Sequence, residues 1–375
     1  MNMMIVLGTR PEIIKMAPII EEAESRHIDY SVVHTGQHYS PNMSDVFFEQ
    51  LGLRQPDYNL NAGSGTHAEQ TGRMLIAIEK VFAKERPSIV LVEGDTNSVL
   101  AAGLAASKLN IPVGHVEAGL RSRDRTMPEE VNRVLTDHLS EYLFAPTSIS
   151  RSNLISEGIS RRNIWVTGNT IVDSLAKSVK LAKHANGFPS GIQAENYLLM
   201  TLHRQENVDS EERLKRILQG LEMVHEKTGM MIVWPAHPRT MKRILRDDLR
   251  LARGLKLLNP QDHFSFLHLL MNARLVLTDS GGVQEEACIL KVPCVTLRDN
   301  TERPETLLVG SNVLAGSNPK KILKQTMLML ERERRWKNPF GDGHAGARIL
   351  DIIQRHLQDD GDTGHNTRRV SSQGR

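Results

Sequence analysis

The sequence predicts an α/β protein made of two parallel, helix-covered sheets in tandem. Three observations carry that prediction. Short apolar runs alternate with helix-periodic segments from the first residues onward. Each run stops at glycine or polar residues, where a strand of a parallel sheet hands the chain to a helix. The series is interrupted at residues 184–193 (HANGFPSGIQ), whose Gly, Pro and Asn and lack of periodicity read as a linker. The length of 375 residues agrees with two or three domains at about 150 residues each.

Residues 4–7 form a short apolar strand and residues 12–24 carry helical periodicity. Residues 30–34 make the next strand, ending at Thr35-Gly36-Gln37-His38. Residues 88–92 are apolar and stop at Glu93-Gly94-Asp95-Thr96, before an alanine-rich helix over 98–108. A strand over 112–116 ends at Glu117-Ala118-Gly119; 129–139 reads as helix and 142–145 as strand. Past the linker, strands are predicted over 197–201, 230–234, 255–258, 275–278 and 294–297. The polar tail over 358–375 lacks apolar periodicity and is read as disordered.

Composition narrows the function. Net charge is +3 from 47 basic and 44 acidic residues, which gives no electrostatic case for nucleic acid or an anionic membrane. The only two cysteines, Cys288 and Cys294, match no zinc or redox spacing and read as buried thiols of a reducing compartment. The N-terminal MNMMIVLGTRPE has no basic flank and is too short for a signal peptide. No stretch approaches roughly 20 uninterrupted apolar residues, so no membrane span is expected and the location expected is cytoplasmic.

Ligands of parallel sheets sit outside the carboxyl ends of the strands, so the residues just past each strand are the candidates. Tandem sheets of this kind are expected to enclose a cleft. After the first strand, Gly8 allows a tight turn and Pro11 suits a first helical position. Arg10 is placed to hold phosphate, or to be solvated together with Lys15. The further glycines of a dinucleotide fingerprint are missing. Asp95, Glu117 and Glu129 each follow a strand or open a helix, with Arg133 one turn beyond Glu129. Asp95 and Glu129 have ordinary capping and helix-dipole explanations. Three gathered carboxylates also raise one another's pKa, which suits proton transfer. No Asp-x-Asp or His-x-x-x-His pattern accompanies them, so metal is the minority reading. In the second half, His203 and Arg204 follow a strand and suit an anion. In TDSGGVQEEA, Ser280, Gly281 and Gly282 offer bare N–H groups at a helix start. Arg303 enters another helix. The segment WPAHPR around His237 is read as a loop-shaping or anion-binding turn. Gln261 and Phe266 lie in a segment where an aromatic ring could stack on a base or pack in the core.

The motifs LGTRPEIIKMAPII, VEGDTNSVLAAGLAA, GHVEAGLRS, MPEEVNR, TGNTIVD, LHRQEN, TDSGGVQEEA and RDNTERPE, followed by NPFGDGHAGARI, resemble those of the non-hydrolysing UDP-N-acetylglucosamine 2-epimerases, in that family's order. The resemblance implies a glycosyltransferase-B-type fold with two Rossmann-like domains and an interdomain cleft. It implies a domain over 1–170, completed by a C-terminal helix over 345–357, and a UDP-binding domain over 171–344. It implies interconversion of UDP-GlcNAc and UDP-ManNAc with no cofactor and no metal, by elimination of UDP to a glycal and re-addition. It also implies a homodimer and a place in polysaccharide synthesis. Carried onto this chain, it makes Asp95, Glu117 and Glu129 the acid–base group. Arg133, His203, Arg10 and Lys15 would order those carboxylates or bind diphosphate. Ser280, Gly281, Gly282 and Arg303 would bind phosphates, Gln261 and Phe266 uracil, and Glu286 the ribose hydroxyls. Glu285 is left with packing or helix-dipole duty. The chain departs from the family at Gln205, where a second Arg is common, and at Gln37-His38-Tyr39-Ser40, which puts activation by a second substrate molecule in question. A hydrolysing relative, a glycosyltransferase and a non-catalytic UDP-sugar sensor are the competing readings.

Overall fold

The computed structural model describes residues 2–36, 47–182, 188–236, 238–246 and 251–363. It divides into two compact units, one of Met1–Ser174 with Gly341–Arg375 and one of Leu175–Phe340. The segments around Gln37-His38 and His237, and residues 184–187 of the linker, lie outside the described residues, as do residues 364–375 of the tail. The last helix, Ala345–Thr363, runs past residue 358, where the sequence reading began its disordered tail.

In the first unit the described strands are β1 (Asn2–Leu7), β2 (Asp29–His34), β3 (Tyr58–Asn59), β4 (Ile89–Glu93), β5 (Val113–Val116), β6 (Tyr142–Ala145) and β7 (Ile164–Val166). They pair in parallel in the order β3-β2-β1-β4-β5-β6-β7. The strand order reverses between β1 and β4, which opens a crevice at their carboxyl ends. Strands buried on both faces must be apolar throughout, and Met4, Val6, Val33, Val90, Val92 and Val113 share one cluster with the helices above them. The first helix, Arg10–Ser25, contains Pro18, which has no N–H for the carbonyl of Ile14. Oγ of Ser174 donates to that carbonyl instead. Helix Ala345–Thr363 docks on the same surface. Gly346 makes this possible, since an added Cβ would stand 3.0 Å from the Pro18 backbone, and its N–H donates to Asp173.

The second unit holds β8 (Tyr197–Thr201), β9 (Met231–Pro235), β10 (Leu255–Leu258), β11 (Leu275–Thr278), β12 (Cys294–Thr296) and β13 (Asn312–Leu314). Their order is β10-β9-β8-β11-β12-β13, again all parallel. Here the reversal lies between β8 and β11. Leu198, Met200, Trp234, Leu275 and Leu277 form the core beneath it. Cys288 and Cys294 are buried and free. Among the described residues no helix is long and apolar enough to cross a membrane.

Candidate active site

Several candidate residues stand at the two strand-order reversals, while Gln261 and Phe266 follow the edge strand β10 and Arg303 follows β12. In the first unit, β1 passes to helix Arg10–Ser25 through Gly8 and Thr9, whose N–H groups both donate to Oε2 of Glu12. Glu12 is fully buried, and burial pushes its carboxyl up to about 7; bonds from Thr96, Gly8 and Thr9 oppose the rise and Asp95 adds to it. At the turn from β1 into this helix, Gly8 serves for space. A Cβ there would sit 2.3 Å from the hydroxyl oxygens of both Ser98 and Thr35. Arg10 is exposed, its guanidinium 5.6 Å from the centre of the Phe47 ring.

One turn into the same helix, Lys15 points inward. Its Nζ donates to Oε1 of Glu117 at 2.6 Å and lies 3.3 Å from Oε1 of Glu93, the last residue of β4. Glu117, just past β5, holds a left-handed backbone with φ 70°. A non-glycine residue keeps that conformation at a cost of about 1–3 kcal/mol, and such strain gathers at functional sites. Asn169 donates to Oε1 of Glu117 at 3.2 Å. Asp95 lies two residues past β4, and Arg133 on helix Pro128–Leu139 forks onto it, one nitrogen donating to Asp95 and another to Glu130. Glu130 is itself fixed by the N–H groups of Ser122 and Arg123, at 2.9 and 2.8 Å. Glu129 sits half-buried in the first turn of that helix.

Under these groups lies a pair that the sequence reading did not select. His115 on β5 donates from Nε2 to the Gly94 carbonyl at 2.8 Å and bonds Asp137 through Nδ1 at 2.7 Å. Arg121 reaches the other Asp137 oxygen at 2.7 Å. Burial alone would raise the Asp137 carboxyl; His115 and Arg121 outweigh it and hold it below its usual value.

In the second unit the residue that organises the reversal is Asp279, which stands directly before Ser280. Its buried carboxylate accepts from the N–H of His203 and of Arg204, at 3.1 and 2.9 Å, and from Asn207 at 3.2 Å. Nδ1 of His203 lies 3.1 Å from Asp279. Burial works against the anion, yet His203 and the other donors keep this carboxyl below its ordinary range. The pairing leaves Nε2 of the exposed His203 as the ring nitrogen for a ligand. Ser280 caps helix Gly281–Ile289, its Oγ accepting from the N–H of Val283. Gly281 packs near Arg303 and Glu302, whereas a Cβ on Gly282 would meet nothing closer than Ser280 Oγ at 4.0 Å.

Glu285 is fully buried and accepts from Nε of Arg303. Expected to serve packing or the helix dipole, Glu285 is instead the counter-ion that fixes Arg303. Glu286, the next residue, is 8% exposed. Gln261 donates to the Asn259 carbonyl at 2.8 Å, ahead of the Asp262 N-cap of helix His263–Met271, on which Phe266 is half-buried. Arg298, wholly buried, bonds both oxygens of Glu302 and contacts Glu206. It too went unselected, although Arg298 and Glu302 stand at an i,i+4 spacing just past β12. Among the described residues no cluster of three or more His, Cys, Asp or Glu side chains is arranged to hold a metal ion.

Comparison with known proteins gives a consistent picture. The sequence model of the family described as UDP-N-acetylglucosamine 2-epimerase matches residues 21–354. A UDP-N-acetylglucosamine 2-epimerase of Methanocaldococcus jannaschii is 56% identical over 361 residues, 94% of this chain and 99% of that protein. The crystal structure of the M. jannaschii UDP-GlcNAc 2-epimerase in complex with UDP-GlcNAc and UDP matches with a TM-score of 0.88 at 55% identity, over 95% of this chain and 100% of that one. A Pseudomonas aeruginosa relative, UDP-2,3-diacetamido-2,3-dideoxy-D-glucuronate 2-epimerase, is 42% identical over 94% of this chain and 99% of its own length. A lipopolysaccharide outer core galactosyltransferase, 14% identical with a TM-score of 0.54, shares the fold alone, which is the glycosyltransferase-B type.

Proposed function

The chain belongs to the UDP-N-acetylglucosamine 2-epimerase family, an isomerase, and on that premise we propose that it interconverts UDP-GlcNAc and UDP-ManNAc by elimination and re-addition of UDP. One carboxylate of the set Asp95, Glu117 and Glu129 removes the proton at C2. The C1–C2 double bond of a glycal forms as the C1–oxygen bond breaks, and its electron pair leaves with the diphosphate of UDP. A second group of the set returns a proton to the opposite face of C2, and UDP adds back at C1. His203, with Nδ1 engaged by Asp279, presents Nε2 to the departing diphosphate. The N–H groups of Ser280 to Gly282 and the guanidinium of Arg303 receive its phosphates. Glu286 accepts from the ribose hydroxyls, Gln261 and Phe266 hold uracil, and Arg10 offers a further cation.

The observation that carries this reading is that Asp95 and Glu117 are each held by a cation, Arg133 and Lys15, at the carboxyl ends of β4 and β5. Paired in this way, two carboxylates keep fixed geometry in a site from which water is partly excluded, as directed proton transfer requires. The family expectation of a cytoplasmic homodimer goes with the proposal. The P. aeruginosa relative motivates a second substrate, the diacetamido-glucuronate nucleotide; the higher identity of the M. jannaschii enzyme favours UDP-GlcNAc. The test is NMR of UDP-GlcNAc incubated with the protein in deuterated water. We expect UDP-ManNAc carrying deuterium at C2. Product without deuterium defeats the elimination route. Turnover of the diacetamido-glucuronate nucleotide alone moves the assignment to the second substrate.

A further inference from the structure

Three buried ionisable groups, one amine and two carboxyls, meet at the carboxyl ends of β4 and β5. The side chains of Lys15, Glu117 and Glu93 are 8%, 5% and 3% exposed. With both carboxyls ionised, the trio would hold one cation against two anions, and the buried Glu12 also acts on Glu93. A second anion sealed beside the first and away from water is costly, and such a site takes up a proton instead. In a closely interacting pair the proton is shared by the pair, so its place has to be argued from the donors around each member.

Those donors favour one arrangement. Glu117 receives the shorter Lys15 bond, 2.6 Å, and the amide of Asn169 at 3.2 Å. Both favour its ionised form. Glu93 has the longer Lys15 approach, 3.3 Å, and its carboxyl and that of Glu117 meet on the same Nζ. A hydrogen bond between two carboxyls requires a proton on one of them. Burial pushes the Glu93 carboxyl well above its ordinary range; Lys15 opposes this, and Glu117 and Glu12 reinforce it.

We propose that Glu93 is a positioning residue: it stays a neutral carboxylic acid and donates its O–H to the Glu117 carboxylate, completing with Lys15 and Asn169 a set of three donors that orients it. This rests on the assignment of Glu117 to the acid–base group. The groups facing Glu93 are Lys15 and Glu12 from helix Arg10–Ser25 and Glu117 from beyond β5, with Asp95 and its partner Arg133 two residues further along its own chain. Loss of the Glu93 proton at high pH removes one donor and sets a second anion beside Glu117, so kcat falls on the alkaline side. Glu93→Gln keeps a donor and cannot ionise. Glu93→Leu keeps bulk and has no donor.

Two measurements test this. Infrared difference spectroscopy at about pH 8, where Glu12 with its value near 7 is mostly ionised, should show in the wild type a protonated-carboxyl carbonyl band that Glu93→Gln lacks. A wild type without the band, or a variant that keeps it, overturns the proposal, and the wild-type spectrum decides even if the variant folds poorly. In kcat profiles against pH, Glu93→Gln should retain neutral-pH turnover within about tenfold and lose the alkaline fall, while Glu93→Leu should lose about 100-fold with little change in KM. An alkaline fall unchanged in Glu93→Gln also overturns it. Normal turnover in Glu117→Gln would remove Glu117 from the acid–base group, and with it the positioning role of Glu93, but would leave the infrared result on the Glu93 proton standing.

Discussion

Glu12 links helix capping to the pH dependence of stability. Its ordinary carboxyl value is 4.5, and burial moves it to about 7 in the fold. Between those values the folded chain holds a proton that the unfolded chain has lost. The contribution therefore favours folding fully below the unfolded value and is lost as pH rises through about 7, at about 1.4 kcal/mol per pH unit inside that window. Glu12→Gln removes the ionisation but keeps an acceptor for the N–H groups of Gly8 and Thr9. Urea midpoints taken from about pH 5 to pH 7 should fall for the wild type relative to the variant; parallel curves would show that Glu12 does not titrate there. Residues like this mark the limit of sequence reading. Asp95, Glu117 and His203 were legible because they stand just past strands. Glu93 stands in the same stretch as Asp95, yet only the packing of Lys15 and Glu117 against it shows that it is sealed. Asp279 was hidden because its work is done on the backbone N–H groups of a strand end far away in sequence. Glu12 alone carried a usable signal, its position three residues after Thr9 in a capping box.

At the scale of the element, helix Gly281–Ile289 offers a clean test of its role. Gly282 has room for a methyl group and stands in the first turn. Alanine is a better helix former than glycine, by up to about 1 kcal/mol in helix interiors. Gly282→Ala should therefore leave the melting temperature unchanged or raised. If the proposed binding mode holds, the same methyl stands between the phosphates and the N–H groups, so the Kd for UDP should rise about tenfold or more, equivalent to about 1.4 kcal/mol. Calorimetry that finds UDP affinity unchanged would show that the diphosphate does not sit on this helix start. The elements themselves were legible where an apolar run was long enough to stand out, as in β1, β4 and β8. β3 has two residues and β7 and β13 three each, too few for a pattern of period two to register. Helix His67–Glu85 passed unselected even though Thr66 and Glu69 form a capping box at its start. The Glu285–Arg303 pair was lost for another reason: the partners come from different helix entries, and only the fold joins them.

At the scale of the whole molecule, the two units each have their own parallel sheet and their own core, and the proposed function divides binding and chemistry along the same line. The carboxylates with their cations belong to the first unit; the helix start, His203 with Asp279, and Arg303 with Glu285 belong to the second. A substitution that changes charge on a carboxylate in the first unit, without changing its shape, leaves the second unit's core and helix start intact. Asp95→Asn, Glu117→Gln and Glu129→Gln should each lower turnover by about 10²- to 10⁴-fold, the range in which a positioned acid or base contributes. UDP, which lacks the sugar carbons those residues serve, should bind each variant within about threefold of the wild type, well under 1 kcal/mol. Arg133 and Lys15 make the contrast sharper. Removing either leaves a carboxylate in a poorly solvated place without its cation, at a cost of a few kcal/mol, so Lys15→Met should lower the melting temperature as well as turnover. Parallel loss of UDP affinity and turnover in the three carboxylate variants would mean that these groups act on binding, and normal turnover in all three would remove them from the chemistry. A drop in turnover with UDP affinity preserved places these carboxylates at the reacting carbons, because it separates stabilisation of those carbons from capture of the nucleotide.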